Sequence, residues 1–374
     1  MKPWKAIALA DLHVGNPRWD PVHFRECFDK CVLPQIDDSV DYVFICGDFF
    51  DLGLNMSSVA SAVAISVISD LKRACMEHNC KLRVLRGTFT HDRHQPRHFL
   101  ASSPEYNACT SVIEDMRIEV DGDLGLSILY MPDNLQYEDV YGAVDKLFEE
   151  HHLEKVDVVI RHGYFSHMLP PGIPEPSNTL DADKFSRFYR GCVLNGHVHN
   201  TSIYKNVISI GSFGRMAHGE EGPKGFYIIN CDENGTYKFN FVENVYALNF
   251  STIDLQPYGS DIEGAMLHVK DVWLDKMRGF PEGSHIRLIS DDRVLMDSIA
   301  ERIHAEFGNR IRVDKGIATK REQLIENAAL NLSDLEVITP DNLEDLLADL
   351  LEQTGKHVSR EDLHRVLESC SQRK

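Results

Sequence analysis

The chain has 374 residues, 43% of them apolar and 26% charged, the balance of a soluble globular protein long enough for two or three domains. A formal net charge of −19 argues against nonspecific nucleic-acid binding through a basic surface, although divalent cations held at a site would cancel several charges locally. No apolar run approaches the ~20 residues of a membrane span. The nine cysteines include no C-x-x-C pair and suit a reducing, cytoplasmic compartment better than a disulfide framework.

The first ten residues carry an apolar stretch too short for a signal peptide and read as a first strand over 5–10. Buried-strand patterns follow at 41–46, 81–85, 126–131, 156–160 and 191–194, with helices expected at 59–75 and 141–151. This alternation argues for a layered α/β architecture over residues 1–250. Runs at 207–210, 225–230 and 237–242 lack intervening helices and read as antiparallel strands. From 251 the pattern restarts as strand 252–255, helix 262–276, strand 285–289, helix 292–307 and strand 310–314. This β-α-β-α-β unit, given the bounds 251–330, shows no cluster of metal ligands in sequence and is expected to shape or cap the main site. In the tail, 331–374, Leu343, Leu346, Leu347, Leu350 and Leu351 fall on one helical face. A second short helix follows Ser359, carrying Leu363, Val366, Leu367 and Cys370. Two such helices need a surface to cover their stripes, either on this chain or on a partner.

Four motifs close β-like runs: Asp11-Leu12-His13, Gly47-Asp48-Phe49-Phe50-Asp51, Arg161-His162-Gly163 and Gly196-His197-Val198-His199. Residues two apart on an extended strand share a face, so Asp11 with His13, and His197 with His199, are each expected to approach one ion. Mixed imidazole and carboxylate donors suit manganese, iron or zinc better than calcium or magnesium. Two ions ~3.5–4 Å apart are suited to phosphate-ester hydrolysis. With 18 histidines in the chain, those outside such motifs, His23, His78, His98, His151, His152 and His218, read as surface or structural.

The order and content of these motifs over residues 5–245 resemble the calcineurin-like metallophosphoesterase superfamily, with its D-x-H, G-D-x-x-D, G-N-H-[DE], lone His and G-H-x-H pattern. The resemblance implies a layered β-sandwich flanked by helices and a two-metal centre. Asp11, His13, Asp48 and His199 would serve one or both metals, His162 and His197 the second, with Asp48 bridging and Asp51 supporting. The third motif departs from the pattern and reads Gly87-Thr88-Phe89-Thr90-His91-Asp92. By resemblance His91 is the general acid or phosphate-contacting residue and Asp92 orients it. The metal-binding Asn is missing, and Thr90 stands in its place. Three options stay open: Thr90 or a water fills the position, His91 turns to the metal, or His94 helps.

The segments Gly211-Ser212-Phe213-Gly214-Arg215 and Lys224-Gly225-Phe226-Tyr227, and the stretch from Arg161 to His167, are similar to those of SbcD-type nucleases. These are relatives of the meiotic-recombination-eleven nuclease, and the altered third motif resembles bacteriophage forms. That resemblance implies a manganese-dependent 3′-to-5′ exonuclease and endonuclease on double-stranded DNA ends. It also implies a homodimer and an SbcC-type coiled-coil ATPase gripped by the C-terminal helices. Arg93, Arg161 and Arg215 are candidate DNA contacts, although scattered arginines are more often simply solvated. The rival readings are a small-molecule phosphodiesterase or protein phosphatase on the same fold, or a weakened scaffold that regulates the ATPase.

Overall fold

The computed structural model describes residues 2–55, 57–133, 139–169, 175–176 and 178–316. The expected tail helices lie outside the described residues. Two six-stranded sheets dominate. The first contains β1 (Trp4–Leu9), β2 (Tyr42–Cys46), β3 (Lys81–Leu85) and β4 (Thr110–Ile113), all parallel, extended antiparallel by β11 (Gly225–Cys231) and β12 (Tyr237–Glu243). The second contains β5 (Arg117–Asp121), β6 (Leu126–Met131), β7 (Val156–His162), β8 (Tyr189–Gly196), β9 (Ser202–Tyr204) and β10 (Val207–Ser209) in the order β5-β6-β7-β8-β10-β9. β10 runs parallel to β8 and antiparallel to β9. The antiparallel expectation for the run at 207–210 therefore holds on one edge only. The fold is mixed α/β, in layers, as the alternating pattern implies.

Side-chain alternation along β1 builds the layers. Ala6, Ala8 and Ala10 join Tyr42, Phe44, Ile128, Tyr130, Val158 and Ile160 in the core between the sheets. Ile7 and Leu9 point the other way, to a core shared with Phe24 and Phe28 of helix Pro21–Cys31 and Val67, Ile68 and Leu71 of helix Val59–Glu77. Each such fully buried aliphatic side chain contributes ~1.5–3 kcal/mol. On the outer face of the second sheet, Leu129, Val159 and Val193 pack with Val144 and Phe148 of helix Val140–His151. Helix Pro21–Cys31 buries Phe24, Cys27, Phe28 and Cys31 on one face, and its start is set by Asp20, which accepts from the amides of Val22 and His23, with proline in the first turn.

The restarted pattern forms a parallel three-stranded sheet, β13 (Phe250–Asp254), β14 (Ser284–Ile289) and β15 (Ile311–Gly316). Ile253, Ile286, Leu288, Leu295, Ile299 and Ile303 give it its own core. The expected helix 262–276 is α-helical over Ile262–His268 and Leu274–Arg278, with a π-helical turn at Val269–Trp273 between them.

All eight described cysteines are unpaired thiols. Among the described residues, no helix is long and apolar enough to cross a membrane.

Candidate metal centre

The ends of β1, β2, β3, β7 and β8 carry the site, in keeping with ligand binding beyond the carboxyl ends of parallel strands. Three groups of donors converge there: Asp11, His13 and His199; Asp48, His162 and His197; and His13, Asp48 and His91. His13 Nε2 is 3.2 Å from His199 Nε2. His162 Nε2 is 3.2 Å from both Asp48 Oδ2 and His197 Nδ1. Asp48 Oδ2 is 3.9 Å from His13 Nε2, so its carboxylate lies between the His13/His199 side and the His162/His197 side.

The local backbone departs from the extended geometry expected of Asp-x-His. β1 stops at Leu9, and Asp11 and His13 take φ of +50° and +46°. Asp48 (+51°) and His197 (+91°) are also left-handed. Four strained non-glycine residues in one site are characteristic of a functional constraint held by surrounding structure. The strain also splits the G-H-x-H pair: His197 joins His162 and Asp48, whereas His199 joins Asp11 and His13. A shared strand face cannot account for that division.

Glycine is required where loops meet. A Cβ on Gly47, itself at φ +96°, would fall 2.1 Å from His162 Nδ1, and one on Gly87 would fall 2.1 Å from Asp48 Oδ1. Gly196 is equally confined, with the Cys46 carbonyl 2.3 Å from its would-be Cβ.

Hydrogen bonds aim the imidazoles. His162 Nδ1 is held by the Cys46 carbonyl at 2.8 Å, which directs Nε2 inward. His13 Nδ1 lies 3.2 Å from Asp51 Oδ1, which also accepts from Asn16 Nδ2 at 3.0 Å. His199 Nδ1 is 2.8 Å from Glu220 Oε1, and Glu220 Oε2 accepts from the Met216 amide and pairs with Lys224 Nζ at 3.2 Å. Glu220 and Lys224 are both buried. Burial pushes the Glu220 carboxyl up, but His199 and Lys224 outweigh it and bring it down to about 2. Lys224 Nζ also donates to the His199 carbonyl at 2.7 Å, and the Ser212 amide bonds the same carbonyl. The Gly-Ser and Lys-Gly-Phe segments therefore brace a candidate ligand rather than face solvent.

The altered third motif takes an unexpected form. Thr88 is the residue that reaches the centre: its Oγ1 lies 3.3 Å from each of Asp48 Oδ2, His162 Nε2 and His197 Nδ1. Thr90 is exposed. Counting back from His91 places Thr90 in the missing Asn position, but the short helix Phe89–Asp92 turns that side chain outward. His94 is exposed as well. His91 faces the centre, with Nδ1 on the Asp51 carbonyl. The buried Asp92 carboxylate accepts the amides of Asp48, Phe50 and Gly87 at 3.1, 3.0 and 2.7 Å, tying the β2 and β3 loops together. Burial, with Asp48 nearby, raises its pKa to about 6.

Burial alone would depress His162, yet Asp48 beside it raises the imidazole to about 10. The same pairing holds the Asp48 carboxyl below the usual range against burial. Burial raises Asp11. Such buried, mutually compensating acid and imidazole groups are the donor chemistry of a transition-metal centre.

Of the arginines, Arg161 is buried, donating to the Asn178 carbonyl and Asn195 Oδ1 and stacking on Phe165. Arg215 is spent on the carbonyls of Gly222 and Leu248. Only Arg93 of the three is exposed.

Two layered sheets thus bring an array of acid and imidazole donors together at their strand ends. No protein-family model matches the chain, and no curated protein matches it significantly in sequence. Among solved structures it is similar to TT1561 of Thermus thermophilus (9% identity, 64% of this chain and 99% of that one, TM-score 0.37). It is also similar to GAP50, the anchor in the inner membrane complex of Plasmodium (13%, 65% and 85%, 0.38). A third likeness is to Pseudomonas putida nuclease MPE (15%, 60% and 83%, 0.26). Scores and identities this low support no inference about activity, which rests on the chain's own residues.

Proposed function

We propose that the chain is a two-metal phosphodiesterase that hydrolyses DNA from double-stranded ends, with manganese as its metal. The observation that carries the metal reading is the Asp48 carboxylate, set between two donor groups that each hold further buried imidazoles. The donor set fits: Asp11, His13 and His199 would hold one ion, His162 and His197 the other, and Asp48 both. Divalent ions there would supply positive charge against a phosphate and lower the pKa of an attacking water.

The protein residues have separate tasks. Asp51, the Cys46 carbonyl and Glu220 fix the orientation of His13, His162 and His199. Asp92 locks the two loops that carry Asp48 and Thr88. His91 Nδ1–H donates to the Asp51 carbonyl, which leaves Nε2 for a phosphate oxygen or the departing hydroxyl. His91 has a second reading, as a ligand, because its ring shares a donor group with His13 and Asp48. His91→Ala decides between them: turnover lost with manganese stoichiometry intact makes it catalytic, whereas loss of one equivalent makes it a ligand.

DNA as substrate is supported by the motif order and the nuclease-like segments in the sequence. The partnership with an SbcC-type ATPase and the homodimer rest on the same resemblance. The purified chain with manganese should shorten linear duplex DNA. Rapid hydrolysis of a cyclic nucleotide or phosphoprotein, with DNA untouched, would instead favour the small-molecule phosphodiesterase or protein phosphatase reading. Deleting 340–374 should abolish ATPase binding, and unchanged co-purification would refute that role of the tail.

A further inference from the structure

A second group of donors lies outside the centre just described. His218, on the loop before β11, meets His285 of β14 and Asp314 of β15. Asp314 Oδ2 is 3.2 Å from His285 Nδ1 and 3.6 Å from His218 Nε2. By sequence alone His218 reads as surface or structural, and the β-α-β-α-β unit shows no ligand cluster. The structure buries His218 and sets it beside two residues of that unit, which become its neighbours only when the three-stranded sheet packs against the loop.

Both rings are more than nine-tenths buried, at 9% and 7% exposure. Among the described residues, His218 Nε2 has no hydrogen-bond partner. Leaving such a buried group unsatisfied is costly, and an ion between it, His285 and Asp314 would satisfy it. We propose that His218 Nε2, His285 Nδ1 and Asp314 Oδ2 bind one zinc-class divalent cation, with a fourth position open to solvent.

The spacing suits this ion. Zinc–ligand bonds of ~2.0–2.1 Å set tetrahedral edges of ~3.3–3.4 Å, and the two measured separations bracket that length. Two imidazoles with one carboxylate form a nitrogen–oxygen set that favours zinc over calcium or magnesium. Burial, with Arg287 beside one ring and Arg312 and Arg18 beside the other, lowers both histidines, His218 to about 4, so both present the neutral form that ligates. Asp314 is 55% exposed and forms the entry. An ion here would pin the loop that, two residues on, carries Glu220 behind His199.

Zinc content of the full chain, after chelation and re-dialysis against zinc, tests the proposal. Asp314→Asn and His285→Ala should each carry one equivalent less than the parent, while manganese binding at the Asp48 centre is retained. The exposed Asp314→Asn keeps the fold and decides the case if His285→Ala does not fold. Equal zinc content in the parent and a folded variant overturns the site.

Discussion

Glu220→Gln probes how strongly the centre depends on a residue that is no ligand. The change keeps shape and lets the amide oxygen still face His199 Nδ1, 2.8 Å away. It removes the negative charge that makes the imidazole a better donor, and such a loss typically lowers metal affinity ~10–100-fold, or about 1.4–2.8 kcal/mol. It also strands Lys224, whose side chain is wholly buried and 3.2 Å from the carboxylate. Breaking a buried ion pair by deleting one partner costs ~3–5 kcal/mol. Stability and metal binding can be separated by the double variant Glu220→Leu/Lys224→Met, which removes both charges. Urea unfolding should show the single variant destabilised and the double variant restored to within ~1–2 kcal/mol of the parent, while calorimetric manganese affinity stays low in both. If Glu220→Gln binds manganese as tightly as the parent, the carboxylate does not tune a ligand and the assignment of His199 fails.

Other expectations are equally direct. Gly87→Ala should abolish manganese binding at the Asp48 centre and destabilise the fold, because its Cβ would meet Asp48 Oδ1 at 2.1 Å; Gly122→Ala, with nothing within 4 Å, should change stability by less than ~0.5 kcal/mol. Thr88→Val deletes the hydroxyl that lies 3.3 Å from three donors and should weaken metal binding ~10-fold or more, as loss of a group that contacts metal ligands does, whereas Thr90→Val should leave it unchanged. Because the metal-free His162 titrates at about 10, it is protonated at neutral pH and must lose that proton to ligate. Affinity should therefore rise with pH up to that value, by ~10-fold per unit for one proton released, and calorimetry in buffers of different ionisation enthalpy should detect the release.

Much of the layered architecture was legible because its strands are short apolar runs bounded by turn residues. β1, β2, β3, β6, β7 and β8 all lie close to their expected bounds. β4 and β5 were missed: Thr110–Ile113 and Arg117–Asp121 are partly exposed and carry no continuous apolar signal. The donors were readable as motifs, and the family resemblance divides them as the structure does, with His199 beside Asp11 and His13 and with His197 beside His162 and Asp48; the two-residue spacing of His197 and His199 did not. Asp11 and His13 fall in one group as their spacing implies, whereas left-handed backbone at His197, beyond the end of its strand, parts it from His199. Glu220 carried no signal and Lys224 only a resemblance of its segment, because their meaning depends on pairing across a buried loop. Thr88 was hidden by an alignment that counted from His91, whereas the fold places the first residue after Gly87 at the centre.

Anomalous diffraction from crystals soaked in manganese tests the two-metal centre most directly. Two peaks ~3.5–4 Å apart are expected, with Asp48 touching both, Asp11, His13 and His199 on one side and His162 and His197 on the other. A single peak, or two peaks that do not share Asp48, would contradict the account.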